Sequence, residues 1–506
     1  MPLNKPYPPV EIDYNDWNDL ADNYAGKATT LIVNKNGKGD YTTLQEAVDA
    51  LPPTHAGEIL VKGGEYVLSK AALVKDREDL VIRGVGEATR LKVANKVQEL
   101  IDSDAGSGQK NVTVADGSSF QVGQHLCVRD DTHWEVNIIA SIAGNVLTME
   151  NNLANTYEGT DNGRVYTCHS AIYVTGSSKK IKILNLTVDG NRANQEFGRE
   201  GYYPNEHQGD GIRLSATTED CAVEGCYIKS AAAHGICIGG KGHRFAHNHC
   251  WDNVYDGINV EPGCERILVL GNHCFDQVSW NGIQVGYSTN PLGTVVVMGN
   301  HCYNNRQGIA IQGGANVAIV GNVLEENRED GIEVYSLDRF LITGNLITGA
   351  DDVSDMTNTG IHVEALSSVG VITGNLIELV AGIGIYVEEG AYITISGNTL
   401  RKIAKHGIKA GNESNDNGRD CTVVGNTIIS ADCGDTETYS GIAVVGDRHL
   451  IEGNRIDDAD KYGIHIATSA DRTLCLGNHV YQYTGTCVQA ILDQGSNSEV
   501  AHNITA

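Results

Sequence analysis

Ionisable and amide side chains recur beside the glycine of a six-residue phrase, which reads GDGIRL, AHGICI and YDGINV from residue 209 onward. These residues are Asp210, Arg213, His234, Asp256, Asn259 and Glu261. Imidazole and carboxyl groups can move protons to and from a reacting centre. A guanidinium can neutralise a substrate carboxylate and stabilise an enolate-like transition state. We therefore predict general acid–base chemistry, with the carboxyl and imidazole groups as catalytic residues and with Arg213 and Asn259 as substrate-binding residues.

A long loop from residue 189 to 211 precedes these phrases. The loop contains Arg199, Tyr202, Tyr203 and His207, and Trp251 and Trp280 follow in the next repeats. Loops of this length on a rigid scaffold usually carry function. We expect His207 to be catalytic and the other five residues to bind substrate. The alternative is an acidic, solvated face without chemistry, because Asp-Gly and Asn-Gly are also common turn dipeptides.

A second phrase, GNHC with variants such as GNLI and GNTI, alternates with the first along the chain. Its asparagines recur every 22 to 30 residues, and an internal period of this order is typical of stacked repeats. Each unit contains short alternating runs of Ile and Val separated by Gly, Asn and Asp, which favours strands over helices. We therefore predict an all-β protein, a right-handed parallel β-helix that rises about 4.8 Å per coil.

The second and fifth letters of the first phrase vary, whereas its Gly, Ile and Val hardly change. Successive side chains of a strand point to opposite faces. We therefore expect the constant residues to stack inside and the varying residues to form one polar stripe on the outside. An extended polymer would fit along that stripe. Cys250, Cys274 and Cys302 are expected to stack inside as buried, reduced thiols.

The sequence divides into four parts on these patterns. We predict an N-terminal tail over 1–30, an N-terminal cap with a short amphipathic helix and the first coils over 31–96, an inserted antiparallel β-subdomain over 97–168, and the main parallel β-helix over 169–506. A capping helix covers the exposed edge of the first coil and blocks end-to-end association.

The chain carries 37 basic and 64 acidic residues, a net charge of −27. This balance excludes a nucleic-acid partner, since phosphates need a concentrated basic surface. Apolar runs stay well short of the roughly 20 residues of a membrane span, so no membrane partner is expected. The N-terminus lacks the basic start and apolar core of a signal peptide. We expect an extracellular or virion-associated protein, a monomer or a homotrimer, that is either a mature chain or leaves its cell by another route such as lysis.

Two groups of side chains raise the question of metal ions. His249, His273 and His301 each follow the asparagine of a repeat, and imidazole suits Zn or Cu. We predict a metal-free ladder there, because no carboxylate or Cys is placed outward beside it. The run ADDVSD from residue 350 and the glutamates Glu364, Glu388 and Glu389 offer oxygen ligands, so Ca²⁺ is the alternative cofactor at these positions.

The phrases LTVDGNRAN, HGICI and YDGINVE lie between residues 170 and 290. On these phrases the chain resembles the catalytic β-helix module of mannuronan C-5 epimerases and, more loosely, β-helical polysaccharide lyases and phage tailspikes. The resemblance implies a polysaccharide substrate such as alginate in a cleft on this face. Glu261 falls where the family has a catalytic Asp, and Arg199 falls near its loop Lys. His234 takes the place of a Tyr, and CIG at 237–239 replaces an Asp-Pro-His run.

Three functions are consistent with these residues. The first is a uronate-polysaccharide lyase or C-5 epimerase, in which His234 or His207 removes the C5 proton while Arg199 or Arg213 holds the carboxylate. The second is a glycoside hydrolase that uses two of Asp210, Asp256 and Glu261 as acid and base. The third is a non-catalytic tailspike or adhesin that binds a glycan.

Overall fold

The chain winds as a parallel β-solenoid whose coils are built from three strand walls. The computed structural model describes residues 29–54, 56–195, 209–287, 292–349, 358–365, 367–412, 418–431, 438–481 and 488–505. Most of the predicted N-terminal tail lies outside the described residues. Walls 1 and 2 belong to one 29-stranded sheet, and wall 3 is a separate 14-stranded sheet.

Wall 1 begins with the first strand of the described chain. Its strands are Thr29–Val33, Gly57–Val61, the first part of Leu80–Val93 and of Lys182–Asp189, Ala222–Glu224, Arg244–Ala246, Ile267–Leu270, Val295–Met298, Val317–Val320, Phe340–Thr343, Ser367–Thr373, Gly390–Ser396, Thr422–Val424, Leu450–Glu452, Leu474–Leu476 and Glu499–Ala501.

Wall 2 follows wall 1 in each coil after a sharp bend. Its strands are Gly64–Leu68, the second part of Leu80–Val93 and of Lys182–Asp189, Tyr227–Lys229, His249–Trp251, His273–Phe275, His301–Tyr303, Val323–Glu325, Leu346–Thr348, Leu376–Val380, Thr399–Ile403, Thr427–Ala431, Arg455–Ala459, His479–Tyr481 and Ile504–Thr505.

In most coils, the strand of wall 3 begins at or next to the glycine of the first phrase. Its strands are Ala72–Lys75, Ile172–Thr175, Ile212–Leu214, Ile236–Ile238, Ile258–Val260, Ile283–Val285, Ile309–Gly314, Ile332–Leu337, Ile361–Glu364, Ile385–Val387, Ile408–Ala410, Ser440–Val444, Tyr462–Ile466 and Gln489–Asp493.

The core is one continuous stack of inward side chains. Ile212, Ile236 and Ile258 are partners in register on neighbouring rungs of wall 3, and all three are fully buried. The same rule places Cys250, Cys274 and Cys302 in one buried column. Every cysteine of the described residues is buried and free, as predicted.

Asparagine forms the bend between walls 1 and 2. The preceding glycine takes the left-handed conformation, with φ of 60° at Gly271 and 65° at Gly299, which is inexpensive only for glycine. Asn272 then donates from Nδ2 to Oδ1 of Asn300 at 2.9 Å and to the carbonyl of Phe245 at 3.0 Å. This ladder repeats from coil to coil and satisfies the buried polar groups of the bend.

A short helix and a small barrel complete the fold. The helix Leu44–Ala50 starts at a capping box made by Thr43 and Glu46 and packs on the first coils. A closed antiparallel barrel is inserted after the first coils. Its strands are Gln98–Ser103, Asn111–Val114, His125–Arg129, Trp134–Ala143, Val146–Met149 and Arg164–Thr167.

The predicted right-handed parallel β-helix, its capping helix and its inserted antiparallel part are confirmed. The domain boundaries at residues 30, 96 and 168 stay predictions. Within the described part of the chain, no helix has the length and apolar character of a membrane span.

Candidate functional site

Two columns of side chains run along the outer face of wall 3. One column holds the residue immediately before each phrase glycine, and we call it the turn column. The other holds the middle residue of each short strand, which points away from the core, and we call it the strand column. In register, Arg213 lies beside Cys237, and Cys237 lies beside Asn259. Residues about 24 positions apart in the sequence therefore become neighbours one rung apart.

Side chains of the turn column link neighbouring coils. The carboxylate of Asp210 accepts from the backbone N–H of His234 at 3.1 Å, and that of Asp256 accepts from the N–H of Asn281 at 2.9 Å. Both aspartates are almost fully buried. Their first role in the structure is therefore to satisfy backbone donors of the next coil.

The predicted acid–base residues form one cluster, which we call the Arg213 cluster. The guanidinium of Arg213 lies 3.1 Å from Asp210 Oδ2 and 2.7 Å from Glu261 Oε1. Its Nη1 also lies 3.1 Å from the sulfur of Cys237. Because two carboxylates share Arg213, its positive charge is already compensated within the protein.

His234 joins this cluster through its neighbours. Its Nδ1 lies 3.1 Å from the carboxylate of Asp256. Burial on its own would lower the pKa of His234, but the hydrogen bond and charge of Asp256 raise it above the usual value. His234 therefore keeps its proton to a higher pH than an ordinary imidazole does.

At this end of wall 3, the side chains of the predicted outer polar stripe are largely buried rather than exposed. The side chain of Arg213 is 5% exposed, and the side chains of Asn259 and Gln284 are also buried. Rungs stand only about 4.8 Å apart, so neighbouring side chains of the strand column cover one another. His234 at 12% and Glu261 at 17% keep the larger exposed fractions in the cluster.

The remaining predicted binding residues are not all at this cluster. Trp251 lies on wall 2, where its ring stacks on Phe275 at 5.8 Å, because it follows the asparagine bend rather than the phrase glycine. Trp280 lies at the edge of wall 3. Four predicted residues lie outside the described residues: Arg199, Tyr202, Tyr203 and His207. The run from residue 350 to 355 lies outside them as well.

An open groove lies farther along the same wall, and we call it the His362 groove. It has a volume of about 520 Å³ and lies over the strands Ile332–Leu337, Ile361–Glu364 and Ile385–Val387. His362 stands at its centre, with Nδ1 3.1 Å from Glu364 and Nε2 3.2 Å from Glu388. Asp330 lies 3.7 Å from the same Nδ1.

The ionisable groups of the groove have shifted pKa values. Burial would lower the pKa of His362, but the hydrogen bond and charge of Asp330, together with Glu364 and Glu388, raise it to about 9. Burial, followed by the charges of Asp330 and Glu364, raises the pKa of Glu333. Burial also raises the pKa of Glu364, while the charge of His362 opposes that shift.

Glu333 and Glu364 therefore have different environments in one groove. Glu364 is ion-paired with a cationic imidazole, which favours its carboxylate form. Glu333 is half-buried among other carboxylates, and burial and their charges raise its pKa. Two carboxyl groups with different partners in one groove are a common arrangement for an acid and a base.

Aromatic and basic side chains border the groove. The ring of Tyr386 stacks on His362 at 5.0 Å. Arg306 pairs with Glu329 at 2.7 Å and lies over the ring of Trp280 at 5.6 Å. The groove thus combines polar groups with ring surfaces, as sites for polyhydroxylated ligands do.

Groups of side chains that fit a metal occur at two places in the described residues. They are Asp210, His234 and Cys237, and His362, Glu364 and Glu388. In the first group Arg213 already contacts the aspartate and the cysteine, so the cation is a guanidinium. In the second group the imidazole suits Ca²⁺ poorly, because Ca²⁺ takes oxygen ligands. His249, His273 and His301 form the expected ladder of ring contacts, at 4.8 and 5.4 Å.

The predicted polar stripe includes Glu333, His362 and Glu364. Sequence reasoning chose neither Glu333 nor His362 as a site residue, and it considered Glu364 only as a Ca²⁺ ligand. Each stands at a fixed distance from a phrase glycine, namely Gly331 or Gly360. A comparison of all repeats aligned on that glycine would have shown neighbouring coils with Glu, then His and Glu, at outward positions. That signal was available in the sequence.

Comparisons with known proteins identify the fold. The profile of the family described as "Right handed beta helix region" matches residues 170–347 and 281–449, which together span more than half of the chain. No curated protein sequence matches the chain.

Solved structures with the same architecture have low sequence identity. A mutant tailspike protein of E. coli bacteriophage HK620, in complex with pentasaccharide, is 10% identical with a TM-score of 0.55, over 96% of this chain and 81% of that chain. The N-terminal fragment of bacteriophage Phi29 gene product 12 is 13% identical with a TM-score of 0.51, over 91% and 68%. The A-module of an Azotobacter vinelandii mannuronan C-5 epimerase is 14% identical with a TM-score of 0.40, over 88% and 91%. At these identities the likeness concerns the fold alone.

Proposed function

This chain belongs to the right-handed beta helix family, and we propose that it is a glycoside hydrolase that cleaves a polysaccharide in the His362 groove. The observation that carries this proposal is the pair Glu333 and Glu364, two carboxyl groups in one open groove, of which Glu364 is ion-paired with the His362 imidazole and Glu333 lies among other carboxylates. Glycoside hydrolysis requires one carboxyl group that donates a proton and a second that is ionised.

The proposed reaction consumes one water. Glu333 donates its proton to the glycosidic oxygen, and the bond from that oxygen to the anomeric carbon breaks. Glu364 accepts a proton from the water whose oxygen attacks the anomeric carbon. Exchange with solvent then restores both carboxyl groups. His362 is a positioning residue in this scheme, because its cationic ring holds Glu364 and Glu388 in place.

The Arg213 cluster supports a second candidate, the uronate-polysaccharide lyase or C-5 epimerase. It brings a basic side chain, an imidazole and carboxylates together, as that chemistry requires. Two features weigh against it. Arg213 is already paired with Asp210 and Glu261, and the Nδ1 of His234 is already bound to the buried carboxylate of Asp256. Hydrolysis therefore has the better-suited groups.

A substrate panel tests the proposal. We would incubate the protein with alginate, pectin, dextran and xylan, and measure both new reducing ends and the ultraviolet absorbance of unsaturated sugars. We expect new reducing ends without unsaturated product. Glu333→Gln and Glu364→Gln should each lower the rate by roughly 10²- to 10⁴-fold, the usual contribution of one acid or base.

The matched control is Glu325→Gln on wall 2. Glu325 also contacts an imidazole, that of His301 at 2.6 Å, but lies away from the groove. The Glu325→Gln variant should keep full activity. Unsaturated product would favour the lyase, and a polymer that is bound but unchanged would favour the adhesin. Full activity of both groove variants would refute the site.

A polysaccharide of this kind lies outside cells or on their surfaces. We therefore propose an extracellular or virion-associated location, and the monomer or homotrimer stays a prediction.

A further inference from the structure

A row of side chains at the edge of wall 3 leads to the His362 groove, and we call it the rim row. It consists of Tyr255, Trp280, Arg306 and Glu329, each two residues before a phrase glycine. The strands that follow them are neighbours in register, because Ile258 pairs with Ile283, Ile283 with Ile309 and Ile309 with Ile332. The members of the row therefore stand on successive rungs, about 4.8 Å apart.

The rim row is a continuous set of contacts. Tyr255 and Trp280 meet edge to face, with centroids 6.2 Å apart and an interplanar angle of 85°. Arg306 lies over Trp280 and pairs with Glu329, and both residues line the groove. At the other end His234 lies 5.5 Å from Tyr255. The row thus connects the Arg213 cluster with the groove.

The rings of wall 2 are arranged differently. Trp251, Phe275 and Tyr303 are stacked with interplanar angles of 2° and 3°. Parallel stacked rings cover one another's faces and turn only their edges outward. In the perpendicular pair only one of the two rings turns its face to the other. Arg306 lies over the ring of Trp280 as well, and Tyr255 and Trp280 both remain partly exposed. Sugars bind aromatic residues through the ring face, so the rim row suits a sugar and the wall 2 column does not.

We propose that the rim row is a binding surface on which Tyr255 and Trp280 each hold one sugar unit of an uncharged polysaccharide that enters the His362 groove. The inference rests on the proposed function and adds the path and class of the substrate. The polymer runs parallel to the solenoid axis. It is uncharged because the chain carries a net charge of −27 and the carboxylates of Asp330 and Glu364 line the groove, which disfavours an anionic sugar.

Chain-length dependence tests this inference. We would measure kcat/KM on oligosaccharides of increasing length prepared from the neutral polymer that the protein cleaves. Trp280→Ala and Tyr255→Ala should each lower kcat/KM roughly tenfold on long oligosaccharides, the loss expected for one buried ring contact, and leave the shortest cleaved substrate unchanged. Trp280→Phe should retain most of the activity, because a ring remains.

The matched control is Trp251→Ala, the same substitution on wall 2. It should keep the length dependence of the wild type. Thermal unfolding of every variant establishes that the fold is intact. If Trp280→Ala and Tyr255→Ala have the kcat/KM of the wild type at every oligosaccharide length, the rim row is refuted as a binding surface. The proposed cleavage site would be unaffected by that result.

A binding measurement separates this inference from the proposed hydrolysis. Gel electrophoresis through dextran or xylan reports binding without cleavage. If the wild type cleaves no polymer, retardation that is lost in Trp280→Ala and kept in Trp251→Ala still supports the rim row. Equal migration of all variants in every gel would refute it.

Discussion

At the scale of single residues, the same side-chain type has different roles on one wall. The carboxylate of Asp256 is 1% exposed and accepts a backbone N–H, so it links two coils. The carboxyl of Glu333 is partly exposed in an open groove and holds its proton to higher pH than usual. Surroundings, rather than residue type, distinguish the structural acid from the candidate catalytic acid.

His362 predicts a pH-dependent stability. Its folded-state pKa is about 9, above the ordinary value of 6.5. The stabilisation is therefore fully present below about pH 6.5 and is lost as the pH rises through about 9. It amounts to at most about 3 kcal/mol, since one pKa unit corresponds to about 1.4 kcal/mol. We expect the melting temperature of the wild type to fall toward that of His362→Gln across this window.

Thermal unfolding of both proteins between pH 6 and pH 10 measures this effect. Glu388→Gln removes one partner of the His362 imidazole. The pKa of His362 should then rise less, so the pH range over which stability is lost should become narrower. Parallel stability curves for the wild type and His362→Gln would contradict the assignment of a raised pKa to His362.

At the scale of elements, the asparagine bend holds the coils together more specifically than the apolar stack does. Apolar packing tolerates small shifts of one coil against the next. The ladder does not, because each asparagine amide donates both to the next asparagine, at 2.9 to 3.0 Å, and to a backbone carbonyl of the preceding coil. The bend therefore sets the register in which the wall 3 residues align.

Asn300→Ala tests this role. The substitution leaves the backbone N–H and the side-chain amide of Asn272 with one acceptor fewer and the carbonyl of Val269 without this donor. We expect a loss of about 2–5 kcal/mol in the local unfolding free energy, since each buried unsatisfied group costs about 1–3 kcal/mol. Hydrogen–deuterium exchange should show faster exchange at residues 270–274.

Asn36→Ala is the control for this experiment, because Asn36 is exposed in a turn. It should leave exchange at residues 270–274 unchanged. Unchanged protection in Asn300→Ala would show that apolar packing alone sets the register.

At the scale of the whole molecule, charge selects among substrates. The chain carries a net charge of −27, and the His362 groove contains several carboxylates. Repulsion from this charge acts over about 10 Å at moderate ionic strength. An anionic polymer is therefore repelled before contact, and a neutral polymer is not.

Salt dependence measures this selection. Any binding of alginate should strengthen severalfold as salt is raised from low to physiological levels, because salt screens the repulsion. Binding of a neutral polymer such as dextran or xylan should change little. Alginate binding that weakens with salt would instead indicate a local basic site and would favour the lyase or epimerase.

The spacing of the repeats alone predicted a stack of coils with the constant Ile and Val residues inside. Period-two alternation and a repeat of 22 to 30 residues admit few other folds. Asp210, Arg213, His234 and Glu261 lie together in the structure, because a constant spacing from the phrase glycine places residues on neighbouring rungs.

The exposure and the ion pairing of these side chains follow from the packing of the folded chain. Arg213 is outward by pattern yet buried and doubly ion-paired, whereas His362 occupies the same column in an open groove. Trp251 and Trp280 are both aromatic residues of neighbouring repeats, but they lie on different walls. Exposure and ion pairing depend on every side chain around a position, and these side chains come from several coils. A one-dimensional pattern encodes which residues meet on a rung but not how much water reaches them.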